Sequence, residues 1–387
     1  MTKFLWLGAV FDENAEQSRA AASPAEYRWQ RGLINALGSK GYPVHLIGHL
    51  AEPLWPKGQV CPDGEPFLDS SLSQRCLRYW NLPALRARSL CNAYCLAVDS
   101  YCRQHAAPEC LFTYNAWPWK VAAARHAKRE FSIKWVNLTL DYDDPGENFE
   151  KYTRAVSGAD AHVILSWAAF EGVSLRPKLH LDAGVDEVYE SPLASGSAQA
   201  HTFMYSGRLT EASGAGFLTE AIRQVKRQDV RFMICGKDKG SPLEQLAQKD
   251  PRVDFVGYVS SQELHELSLA SDFFLNPRPP GLEVNRMVFP SKLTNYLAYG
   301  KPVVSTWTLG LAPEFRDLLI VSSGPSPTDF ANAIEKACEM TLEQRNEHRK
   351  FITESMKKKR LWSQQAERLI DFLHTEQLIA KDAHDKA

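Results

Sequence analysis

The feature that most constrains this chain is an alternation, run through twice. Short apolar runs rich in β-branched and aromatic residues take turns with longer amphipathic stretches. The first pass reads KFLWLGAVF, AEYRWQRGLINALGSKG, PVHLIGHL, a helical region over about 84–105, ECLFTYN, WKVAAARHAKRE, IKWVNLTLD, a helical region near 149–157, and AHVILS. The second starts afresh with HTFMYSGRL and continues through GFLTEAIRQVKR, RFMICG, SPLEQLAQK, VDFVGYV, SQELHELSLA, DFFLNPR and FPSKLTNYLAYGKPVVST. Parallel strands need a helical crossover, so this order predicts α/β architecture with helices on both faces of each sheet. We therefore expect two Rossmann-like doubly wound domains facing across a cleft. Their boundaries are read as an N-terminal domain over 1–185, a Ser/Ala/acid-rich linker over 186–200, and a second domain over 201–341. A charged helical segment over 342–375 is expected to pack back on the first domain, ahead of a polar tail over 376–387. Only residues 52–75 lack a pattern.

The chain has 387 residues, is 44% hydrophobic and 24% charged, and carries a formal net charge of −1. That balance argues against a general nucleic-acid binder. No apolar run reaches membrane-spanning length, and the N-terminus reads as a first strand rather than a signal peptide, which predicts a cytoplasmic protein. The eight cysteines form no Cys-x-x-Cys pair and no Cys/His set with zinc spacing, so free buried thiols and no metal site are expected. Cys91, Cys95 and Cys102 share one helical face.

The stretch FPSKLTNYLAYGKPVVST, residues 289–306, reads as a short helix followed by a buried strand. Pro290 suits a first helical position, Ser291 is a capping type, and Gly300 sits where a helix stops. Its first turn carries Lys292, although a helix N-terminus favours acids. No acid occurs from Val284 through Pro313. An anionic ligand would satisfy both the orphan amides and the lysine, whereas the plainer alternative is a solvated lysine.

Other strand-to-helix loops of the second domain fit the same idea. Gly207, Gly214 and Gly216 permit close backbone approach, and Arg208 could fork two hydrogen bonds onto a phosphate. Gly236 and Lys237 end one strand. Gly257, Tyr258 and Val259 end another, where backbone could read a base edge. Each loop alone is equally well an ordinary turn, but strand C-termini of one sheet collect them all, which outlines a nucleotide diphosphate site.

These motifs, in this order, resemble the glycosyltransferases of the GT-B fold, most closely the group 1 (family 4) retaining enzymes. The resemblance is specific over about residues 201–310 and looser before them. It implies a transferase moving a sugar from a UDP- or GDP-sugar to an acceptor hydroxyl in polysaccharide or glycolipid assembly, with retention and without a metal. The nucleotide sugar would be a co-substrate rather than a resident cofactor. It further implies that Gly207 and Arg208 approach the donor diphosphate, that Gly257–Val259 hold the base, and that Ser291 and Lys292 cap the phosphates. The sequence departs from the family's Glu-x7-Glu pattern, with Met287 and Asn295 at those positions. Glu283 stands nearby as a substitute, and Gly214 occupies a position where a lysine is usual. Two alternatives follow: a GT-B nucleotide-sugar epimerase, which needs no acceptor, and a non-catalytic sugar-nucleotide-binding scaffold.

On the acceptor side the candidates are Asn115 and Trp117 after ECLFTYN, with Asp141 and Asp143 after IKWVNLTLD. Asp141 could act as a general base. The acceptor would be a glycan, a lipid-linked sugar or a small molecule. Arg75, Arg78, Arg86 and Arg88 interleave with Leu77, Tyr79, Trp80, Leu82 and Leu85, a stretch that could rest on the inner face of an anionic membrane. A solvated helix face is the plainer alternative.

Overall fold

The computed structural model describes residues 3–12, 24–140, 147–189, 200–237, 240–286 and 288–380. The chain divides into two units. One comprises Met1–Leu165, Ala169–Gly184 and Trp362–Ala387, and the other Ser166–Ala168 and Val185–Leu361.

The first unit is built on seven strands: β1 (Phe4–Leu7), β2 (Val44–His49), β3 (Gln74–Leu77), β4 (Cys110–Tyr114), β5 (Lys134–Thr139), β6 (Ala161–Ile164) and β7 (Lys178–His180). Their order is β3-β2-β1-β4-β5-β6-β7, with every pair parallel. The strands β1, β4 and β6 are buried along their whole length. That explains why they read as unbroken apolar runs rather than as alternating ones, since helices cover both faces of a parallel sheet. β3 lies at the end of the unpatterned stretch, and the three-residue β7 is too short to show a period.

The charged stretch after residue 341 is two helices, Leu342–Lys359 and Trp362–Thr375, interrupted at Arg360. The second is part of the first unit. Its Trp362 is wedged where two glycines leave room. A Cβ on Gly32 would fall 2.1 Å from the indole Nε1, and one on Gly184 2.5 Å from the ring. Trp29 meets the same indole edge-on at 5.8 Å. The next turn adds a buried polar anchor, Gln365 Nε2 donating to Asp182 Oδ1 at 2.7 Å.

The second unit carries β8 (His201–Ser206), β9 (Val230–Cys235), β10 (Val253–Gly257), β11 (Phe273–Asn276), β12 (Val303–Ser305) and β13 (Leu319–Val321). The order is β10-β9-β8-β11-β12-β13, again all parallel. The order reverses between β8 and β11, which in open α/β sheets is where ligands bind. Phe203 stacks on Phe273 at 4.7 Å across that pair and fixes the two strands at their N-terminal ends.

All eight cysteines are free. Cys76, Cys110, Cys235 and Cys338 are buried as expected of structural thiols, but Cys91, Cys95 and Cys102 are only partly buried and Cys61 is exposed. The helical face they share is the rim of the core rather than its centre.

Trp362→Ala should cost about 3–5 kcal/mol in the first unit's unfolding free energy, because the double-glycine slot cannot collapse around alanine. Denaturant unfolding followed by the remaining tryptophans would measure it. A loss below about 1 kcal/mol would mean that the helix is not part of that core.

Candidate functional site

The site is assembled where β8 and β11 diverge. Three strand ends are joined through backbone. Gly207 N donates to Cys235 O at 2.8 Å, and Gly236 N donates to Gly257 O at 2.8 Å. Glycine is required at two points of this shelf. Gly207 has φ +135°, and a Cβ there would fall 1.8 Å from the Lys292 ammonium nitrogen. Gly214 has φ +90°, and a Cβ there would fall 1.9 Å from Pro277 O. The position where the family carries a lysine is therefore packed against the segment after β11.

Lys292 opens the helix Lys292–Leu297. Its Nζ donates to Tyr205 Oη at 3.2 Å and sits 4.7 Å over that ring. Tyr205 in turn donates to Arg208 O at 2.7 Å. One turn along the helix, Tyr296 Oη accepts from Ser206 N at 2.9 Å and donates to Ser206 O at 3.0 Å. The helix is thus bonded twice to the C-terminal end of β8, once through each aromatic hydroxyl.

Burial first, then the Arg278 and Arg208 charges, push the Lys292 ammonium down from 10.5 to about 7. Among the described residues no carboxylate forms an ion pair with it. Arg208 is exposed, and Arg278 is half-buried. The Arg278 guanidinium is aimed by Asn285, whose Oδ1 accepts from Nη1 at 3.0 Å. Asn285 is fully buried, and its Nδ2 donates to Ala212 O at 3.1 Å and Pro279 O at 2.9 Å. One side chain therefore ties the glycine loop, the proline loop and Arg278 together. Sequence reading passed over Arg278 and Asn285. The available signal was position, since Arg208 and Arg278 are the first cations after the two strands that flank the reversal.

The other expected residues are placed as follows. Lys237 lies 4.3 Å over the ring of Tyr258, and both are exposed. Gly257 has φ +78°, and Val259 beside it is half-buried. Ser291 departs from the capping expectation: it has helical dihedrals and its side chain makes no cap bond. Asn295 and Glu283 are exposed, Glu283 in the short helix Glu283–Arg286. Met287 lies outside the described residues. Lys301 is buried and donates to the carbonyls of Ser268, Leu269 and Ser271, capping the C-terminal end of helix Ser261–Ala270.

In the first unit, Asn115 takes a left-handed conformation (φ 57°), and its Oδ1 accepts from Leu140 N at 3.0 Å. That bond holds the ends of β4 and β5 together. Trp117 is exposed and stacks on Trp119 at 5.2 Å. Asp141 and Asp143 lie outside the described residues. Among the described residues no cluster of three or more His, Cys, Asp or Glu could hold a metal, and no helix is long and apolar enough to cross a membrane.

Residues 200–340 match the family model described as glycosyl transferases group 1. A curated relative, "Putative colanic acid biosynthesis glycosyltransferase WcaL" of Escherichia coli, is 33% identical over 110 residues. That match spans about a quarter of the relative, 27% of its length and 27% of this chain. Solved structures match nearly end to end. A glycosyltransferase from Rickettsia africae aligns with TM-score 0.70 at 12% identity, covering 97% of this chain and 99% of that one. Anabaena HepE, in complex with UDP and glucose, aligns with TM-score 0.65 at 14% identity, covering 97% of this chain and 100% of that one. The chain has the GT-B fold of two Rossmann-like units, and its residues 200–340 are similar to the group 1 glycosyl transferases.

Proposed function

We propose that this protein is a glycosyltransferase that moves a sugar from a nucleotide-diphosphate sugar to an acceptor hydroxyl, with retention, in polysaccharide or glycolipid assembly. The observation that carries the reading is the convergence of Lys292, Arg208 and Arg278 at the β8/β11 reversal, with no ion-paired carboxylate on Lys292 among the described residues. Such a cluster is costly when empty and is offset by a diphosphate. Tyr258 and the Gly257–Val259 backbone extend the shelf to a base. The UDP in the HepE structure supports uracil over guanine as that base. Leaving-group stabilisation needs positive charge on the departing diphosphate, which these residues supply without a metal. The glycan, lipid-linked or small-molecule acceptor falls to the first unit in this reading, with Trp117 as a stacking face for a sugar ring. Asn295 takes the place of the carboxylate that the family uses on the ribose, and Glu283 that of the acid serving the donor sugar.

Two outcomes test the reading. A thermal-shift panel of UDP, GDP, ADP, CMP, dTDP and their sugars should single out one nucleotide, at 100 times its Kd by about 2.7 kcal/mol. Arg208→Ala and Lys292→Ala should each weaken that ligand about tenfold to a hundredfold, as expected for a lost charge-assisted bond. A folded sample unmoved by every nucleotide would refute the donor site. Turnover to a new sugar nucleotide without acceptor would instead make the protein an epimerase.

The second outcome is pH dependence. Lys292 is charged below about 7 and neutral above it, and a bound diphosphate raises its affinity for the proton. Sugar-nucleotide affinity should therefore be flat below about pH 7 and fall by up to about tenfold per unit above it. The fall stops where the liganded lysine itself titrates. Lys292→Met should flatten the profile. The same burial penalises the ligand-free fold fully below about 7 and less as pH rises toward 10.5, so Lys292→Met should also raise the melting temperature without ligand at neutral pH. A steep pH profile retained in Lys292→Met would assign the titration to another group.

A further inference from the structure

The strand order of the first sheet also reverses, between β1 and β4. Helix Pro118–Phe131 starts at that point, after β4. Its first turn holds no acid, its cap residue Trp117 supplies no side-chain bond, and it carries Lys120. A lysine thus stands where acids are favoured at the reversal of each sheet.

Lys120 is 5% exposed, and its Nζ donates to Tyr114 O at 2.8 Å, 5.5 Å over the ring of the same tyrosine. Lys292 is held in the same manner in the other unit, over Tyr205 and by one bond to its hydroxyl. Burial pushes the Lys120 ammonium down from 10.5 to about 8, and Glu26, in the first turn of helix Pro24–Ser39, raises it in part. Among the described residues no carboxylate forms an ion pair with Lys120. A buried ammonium with one carbonyl for company is costly, and an anion offsets that cost.

The groups around Lys120 can hold the rest of a small molecule. His49, at the end of β2, is pushed down to about 3 by burial first and then by the Lys120 charge, so its ring is neutral. Its Nδ1 shares a hydrogen bond with the Tyr94 hydroxyl at 2.9 Å. Trp119 meets the imidazole edge-on at 5.6 Å, and Trp117 stacks on Trp119. Trp117 is exposed, and His49 and Trp119 are half-buried, so the cluster opens to solvent on that side. Two indole nitrogens here are buried without a hydrogen-bond partner. One is that of Trp119, and the other that of Trp29, whose ring lies 5.9 Å from that of Tyr114. Buried donors without partners are rare, and a bound polar molecule satisfies them. Lysine and indole only donate, so that molecule must accept, and the ammonium selects a negative charge.

We propose that the β1/β4 reversal is an anion site anchored by Lys120, and that the acceptor sugar carries a phosphate or a carboxylate. The acceptor assignment rests on the transferase reading, whereas the anion site stands without it. Trp117 stacks the sugar ring, while Lys120 and the Trp119 N–H hold the anionic group.

The test is isothermal titration of the full chain with glucose 1-phosphate, glucuronate and glucose, in the presence of excess UDP to occupy Lys292. At least one of the two anions should bind, with glucose at least about tenfold weaker. The tighter of the two distinguishes phosphate from carboxylate. Lys120→Met should weaken the anion about tenfold to a hundredfold and leave the thermal shift by UDP unchanged, whereas Lys292→Met should do the reverse. Trp119→Phe, which keeps a ring and removes the N–H, should weaken the anion about fivefold. At about pH 9 the free lysine is mostly neutral, so binding should take up a proton, read from buffers of different ionisation enthalpy and absent in Lys120→Met. A lysine that merely braces Tyr114 O would show no such uptake. Binding of neither anion, glucose binding as tightly as the anions, or anion binding untouched by Lys120→Met would overturn the proposal. Anion binding lost in Lys292→Met would place the anion in the donor site and overturn it too. Should Lys120→Met fail to fold, Trp119→Phe and the proton uptake of the wild type decide. Anion binding that depends on Lys120, with no response to UDP, would uphold the anion site and refute the donor reading.

Discussion

The second unit depends on one contact, that of the Lys292 ammonium with the glycine at 207. The nitrogen occupies the space a side chain would fill, 1.8 Å from where a Cβ would sit. No other residue fits there without moving the lysine or the strand end. The contact joins the helix after β11 to the loop after β8, and so spans the point at which the sheet changes direction. Tyr205 and Tyr296 hold it from either side, each with its hydroxyl bonded to the β8 loop. The lysine is consequently withdrawn from water and pressed toward neutrality by two guanidinium groups. Such an arrangement spends stability on readiness for an anion.

Legibility in the sequence followed physical pattern closely. Fully buried parallel strands announce themselves as apolar runs, and β1, β4 and β11 were plain for that reason. β3 and β13 were not, because a short strand at a sheet edge has no run long enough to register a period. The break at Arg360 was missed because a helix of mostly exposed residues carries almost no amphipathic signal. Helix Leu342–Lys359 buries only Arg349, Ile352 and Met356, and the one mark of its end is the basic last turn of Lys357, Lys358 and Lys359.

At the site, the reading found what local chemistry can reveal: a lysine in a helix's first turn, glycines at strand ends, and an arginine after β8. It gave Ser291 a capping role that the helical dihedrals of that residue preclude. It offered Asn115 to an acceptor, and the side-chain oxygen of that residue also accepts from Leu140 N. Both cases share one feature. A polar residue's type suggests that it will bond, but only tertiary placement decides whether its partner is backbone or ligand. Asn285 is the reverse case. Nothing local distinguishes it, yet burial makes it satisfy its bonds inside the fold, and in doing so it aims Arg278.

Arg278 bears on the missing lysine of the glycine loop. That loop cannot carry a long side chain at 214, because Pro277 O stands 1.9 Å from any Cβ and the backbone is left-handed. Close packing of the loop on the β11 segment therefore excludes a cation there. The same packing brings the next residue after Pro277, Arg278, up beside Lys292, with Asn285 bonded to Ala212 O on the loop itself. The loop carries no cation at 214, and Arg278 presents one from the other side of the same contact. A diphosphate held here would meet Arg208, Lys292 and Arg278, the last two held by side-chain bonds to Tyr205 and Asn285 rather than by flexible reach. Fixed charges lose less entropy on binding and repel each other more without a ligand. A depressed lysine and a buried asparagine are the marks of that arrangement.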